Sequence, residues 1–97
     1  MDTLSYGREK YYSAVRFLCL SEVSLHERLI KVFINDLMHI TENNLQPALW
    51  KRHKEIKNIC TQEGSFADSI PGLGEKEVVR IIEEIVSIHS QILKESK

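Results

Sequence analysis

The chain has two cysteines, two prolines and four glycines among 97 residues, and aromatic side chains make up 7% of it. Cys19 and Cys60 stand far apart and form no C-x-x-C pair. Two thiols are too few for a structural zinc site by themselves, and a disulfide scaffold carries more. Free thiols in a reducing compartment are the simpler expectation. A formal charge of −1 supplies no general attraction toward nucleic acid or anionic lipid, so any such binding needs a local patch. No apolar run approaches the length of a membrane span, and the opening stretch MDTLSYGREKYY lacks the basic-then-apolar order of a secretory signal. A cytoplasmic chain without membrane contact is expected. Sustained alternation at period two is also missing, which argues against a sheet.

What the chain does have is helical periodicity. With 42% hydrophobic and 28% charged residues it reads as one ordinary globular domain, and apolar residues recur at three- and four-residue spacing in four places. The first candidate helix covers residues 9–20, with Tyr11, Ala14, Val15 and Leu18 on one side. The second, 25–40, opens on SLHE, where Ser24 and Glu27 have the spacing of a capping box. The third, 45–61, follows TENN, with Asn44 as its expected cap and Pro47 tolerated in the first turn. The fourth, 75–95, is the most regular: Val78, Ile81, Ile85, Ile88 and Ile92, widened by Val79, Ile82, Val86 and Leu93. Its apolar arc spans about half the helix, enough to face at least two neighbours. The pattern predicts an all-α fold, an antiparallel four-helix bundle with a short helical lid at 65–70 between the third and fourth helices.

The lid lies in EGSFADSIPGLGEKE, which holds three of the four glycines. A phosphate-binding loop is the competing reading. The Walker and dinucleotide glycine patterns are both absent, and Glu75 and Glu77 occupy the first turn of the helix that follows. Carboxylates there favour the helix dipole and repel a phosphate. Ser65 and Asp68 have capping spacing, and Pro71-Gly72 ends the turn.

Metal and catalytic constellations fail on spacing. HERLI begins like the zinc-protease HExxH but places Ile30 where the second ligand belongs, and no ExxH occurs for a di-iron bundle site. Asp36 and His39 alone are two ligands too few. His89 falls in the apolar arc of the fourth helix, a candidate buried titratable group. Such a histidine serves as a pH switch or general base, or more commonly rests in the core bonded to a tyrosine or a carbonyl. No nucleophile accompanies it, and no acid–base–nucleophile set converges. The expectation is no enzyme, no metal and no cofactor. Of the adjacent tyrosines, Tyr11 is assigned to the core and Tyr12 to a guanidinium stack with Arg16.

The candidate interaction face is LWKRHKEIK. Trp50 falls off the buried stripe of the third helix, beside Lys54 and Lys57 and flanked by Lys51 and Arg52. Three readings fit an off-stripe tryptophan among cations. It covers the rim of the bundle, it anchors a protein partner, or it stacks on single-stranded nucleic acid. A helix-turn-helix comparison of the second and third helices lacks the turn glycine.

The stretch EKYYSAVRFLCLSEVSLHERL, with GSFADSI and an isoleucine-rich last helix after it, resembles a group of short bacterial all-helical proteins of uncharacterised function. The resemblance implies a bacterial, stand-alone helical domain and carries no site residues. The reading is a non-enzymatic protein–protein interaction module, self-associating as a homodimer, with a protein partner as a second option. The alternative is a small nucleic-acid binder using Trp50, Lys51, Arg52, Lys54 and Lys57.

Overall fold

Stripes of apolar side chains set the architecture. The computed structural model describes residues 3–95 and is all-helical, with no strand among those residues. Five α-helices occur: α1 Thr3–Leu20, α2 Leu25–Asn35, α3 Pro47–Cys60, α4 Phe66–Ser69 and α5 Glu75–Glu95. Short 3-10 turns, Leu37–His39 and Ile70–Gly72, follow α2 and α4. The longest helix, α5, sends Val78, Ile81, Ile85, Ile88 and Ile92 into the core and packs against α1, α2 and α3. Each buried isoleucine contributes about 1.5–3 kcal/mol of transfer free energy. Three neighbours account for most of the wide apolar arc of α5.

Two helix starts, those of α2 and α4, are capped by the serines their sequences suggest. Ser24 Oγ accepts from the Glu27 amide at 3.2 Å, and Ser65 Oγ accepts from the Asp68 amide at 3.1 Å. Above α2, Phe66 of α4 stacks on Phe33 with ring centroids 4.7 Å apart, and Ile70 is fully buried. The region between α3 and α5 is therefore an apolar closure. Gly64 takes φ +104, the left-handed region that suits a residue without a Cβ.

Three boundaries differ from expectation. The first helix begins at Thr3, six residues earlier than residue 9, because Gly7 is a point of close crossing rather than a breaker. A Cβ on Gly7 would collide with the Asn44 carbonyl oxygen. The second helix stops at Asn35 instead of running to residue 40, since Asp36 leaves helical geometry at φ −126. The turn that follows buries both Leu37 and Ile40. Asn44 does not cap α3. The cap is Gln46, with no side-chain bond, and Pro47 opens the helix. Asn44 Oδ1 accepts instead from Thr41 N (2.7 Å) and Thr41 Oγ1 (3.0 Å), while Nδ2 donates to the Thr3 carbonyl (3.0 Å). This asparagine holds the 41–46 loop against the start of α1.

Candidate functional site

The inner side of α3 is formed by Leu49, His53, Ile56 and Cys60, at i, i+4, i+7 and i+11. His53 thus occupies a core position and is fully buried. Its Nδ1 lies 2.6 Å from the Tyr11 hydroxyl, which α1 presents from an equally buried position. Burial raises the Tyr11 phenol far above its ordinary value, with the Glu84 charge adding to the shift and Arg52 opposing it. Burial likewise pushes His53 down to about 4, assisted by Lys57 and opposed by the Leu37 backbone. Both groups are neutral near pH 7, so the phenol donates, Nδ1 accepts and Nε2 carries the ring proton. Nε2 is enclosed and makes no hydrogen bond. Neither ring reaches solvent, so the pair cannot pass a proton to a substrate. It fastens α1 to α3.

The residues of the expected interaction face lie around the rest of α3, with Trp50 beside the inner stripe and packed against the core. Trp50 is half-buried, stacked on His53 with centroids 5.6 Å apart and planes 20° apart, and Lys54 Nζ lies 6.0 Å from its ring centre. Arg52 turns to α5. Its Nε and Nη2 donate to Glu84 at 2.8 and 2.9 Å, and Nη2 also reaches Ser87 Oγ at 2.8 Å. The hydrogen-bonded pairing raises Arg52 and holds Glu84 below the usual carboxylate range. Lys51 and Lys54 are exposed and Lys57 is half-buried. The structure brings Trp50 and Lys54 together and draws Arg52 away into an interhelical pair.

His89 is half-buried at the edge of α5, beside Tyr12 with ring centroids 6.3 Å apart. Its Nε2 is enclosed without a hydrogen bond, and desolvation lowers its pKa. The tyrosine hydrogen bond expected of a core histidine belongs to His53 instead. Its signal was legible in the sequence: position 53 is in register with Leu49 and Ile56. Tyr12 is exposed, and Arg16 Nη1 approaches its hydroxyl at 3.4 Å rather than lying over the ring.

One face was legible only in part. Val79, Val86 and Leu93, seven residues apart on α5, are 39%, 43% and 51% exposed. Ile82, Glu83, Val86 and Lys94 line a shallow groove along that side. Elsewhere the Cys60 thiol is buried and pushed up to about 12, mainly by burial and secondarily by Glu77, while Cys19 is exposed. Among the described residues no group of three or more His, Cys, Asp or Glu side chains is placed to hold a metal ion, and no helix is long and apolar enough to cross a membrane. No protein-family model matches the chain, and no curated protein or solved structure matches it either.

Proposed function

We propose that this chain is a non-enzymatic protein–protein interaction module that self-associates as a homodimer. On this reading its scaffold is a four-helix antiparallel bundle, with α4 and the turn after it as the lid. Contacts consistent with that scaffold link Tyr12 to His89, Arg52 to Glu84, and His26 Nε2 to the Leu73 carbonyl at 2.8 Å. The proposed setting is a bacterial cytoplasm, in keeping with two free thiols.

The observation that carries self-association is the heptad-spaced apolar row on α5. A surface helix normally presents polar residues on the side away from its core. Here Val79, Val86 and Leu93 stand in solvent on one line, although α5 already contacts three other helices. Exposed apolar side chains aligned on one helix mark a contact surface more often than scattered single residues do. Sedimentation equilibrium from micromolar to submillimolar concentration tests the reading. The expected mass rises from the 11.3 kDa of one chain toward twice that value. A constant monomer mass across the range would sink it.

A further inference from the structure

We infer that the self-association surface is the outer face of α5, and that the two copies meet with these helices antiparallel. The inference rests on the self-associating reading and specifies its geometry. At 100° per residue, positions eleven apart fall about 20° from one another. Glu83 and Lys94 are eleven apart, on one flank of the Val79–Val86 line. Ile82 lies on the opposite flank, and the line drifts about 20° toward that flank at Leu93, eleven residues on.

A two-fold axis across antiparallel helices keeps each flank against the same flank of its partner. Glu83 then faces the partner's Lys94, and Ile82 faces the partner's Leu93. The midpoints of these pairs lie one residue apart, about 1.5 Å along the helix, so an axis near residue 88 brings both pairs within side-chain reach. Val86 lies between the flanks, next to that axis. A parallel pairing instead brings the charged flank against the apolar one, leaving Glu83 beside the partner's Ile82 and Lys94 beside the partner's Leu93, each without an opposite charge. Neither Glu83 nor Lys94 takes part in an intrachain ion pair among the described residues. Arg52 of α3 is already held by Glu84. The charges at the seam are therefore available to a second copy.

A seam confined to one helix pair is at the small end of specific interfaces. Four variants measured by sedimentation equilibrium test the geometry beside the unmodified chain. Val86→Glu, at an exposed position, is expected to give a monomer with unchanged helical circular dichroism. Glu83→Lys opposes lysines at two symmetry-related contacts and is expected to weaken the dimer on the order of tenfold. Lys94→Glu is expected to weaken it similarly, and the double exchange to restore it. If the unmodified chain dimerises but Val86→Glu leaves the constant unchanged, the α5 face is wrong and self-association stands. If the single exchanges weaken the dimer and the double exchange fails to restore it, the antiparallel pairing is wrong. A monomeric unmodified chain overturns the face and the underlying reading together.

Discussion

At the residue scale, His53 is a titratable side chain held wholly inside the core. Its folded pKa of about 4 lies below the ordinary 6.5, so the folded chain resists a proton that the unfolded chain accepts. The stability this supplies is complete above pH 6.5 and is lost as pH falls from 6.5 toward 4. A gap of that size corresponds to about 3 kcal/mol at its fullest. His89 acts in the same direction, but its side chain is only half-buried. Glu84, held below the ordinary carboxylate value, contributes in the acid range beneath the histidine window. The urea midpoint of the unmodified chain is therefore expected to drop between pH 6.5 and 4. His53→Gln removes the titrating group and is expected to flatten that interval, from a lower starting stability. His89→Gln is expected to leave most of the slope in place. Equal slopes for His53→Gln and the unmodified chain would show that the imidazole is not what acid attacks.

At the element scale, the informative contact is the crossing of α1 with the 41–46 loop. Gly7 lies in a helix interior, where alanine is favoured by about 1 kcal/mol on propensity alone. The Cβ it lacks would meet the Asn44 carbonyl oxygen and come within 3.2 Å of Leu45 Cδ2. That carbonyl belongs to a loop fixed by the Asn44 bonds to Thr41 and Thr3. Backbone so held cannot yield cheaply, and overpacking of this kind costs about 1–3 kcal/mol. Gly7→Ala is expected to lower Tm by several degrees, against the propensity trend, whereas Gly74→Ala has open space around it. A raised Tm for Gly7→Ala would contradict the tight crossing. The same element shows what a sequence conceals. The cores of α1, α3 and α5 follow from local periodicity, and both serine caps from spacing. Gly7 lies ahead of the apolar stripe from which the first helix is read, and Asn44 reads locally as a cap. Their roles depend on each other across the fold, a pairing that no local window contains. His53 is the opposite case, since its register with Leu49 and Ile56 made the buried position readable. Arg52 was legible as a cation but not as the partner of Glu84, 32 positions away.

At the scale of the whole molecule, a compact chain of this mass has about 5,700 Å² of accessible surface, and the observed value is 5930 Å². The radius of gyration of 12.7 Å also matches the roughly 12.5 Å of a folded domain this long. One chain thus has the surface and dimensions of a folded domain, and the proposed association is one between folded molecules. What such a molecule attracts depends on the field it projects. Thirteen lysines and arginines oppose fourteen aspartates and glutamates, and the most basic segment, around Trp50, loses Arg52 to the ion pair with Glu84. Trp50 also has its ring stacked on His53. A base stacking there meets an occupied ring flanked by few free cations. Titration of single-stranded oligonucleotides at low salt is therefore expected to leave Trp50 fluorescence unchanged. Low salt is the stringent condition, because counterion release strengthens every phosphate contact there. Glu84→Ala offers a sharper version by freeing Arg52. If even that variant gives no quenching, the α3 face lacks a stacking platform. Salt-sensitive quenching of the unmodified chain, abolished by Lys54→Glu, would instead establish nucleic-acid binding on α3.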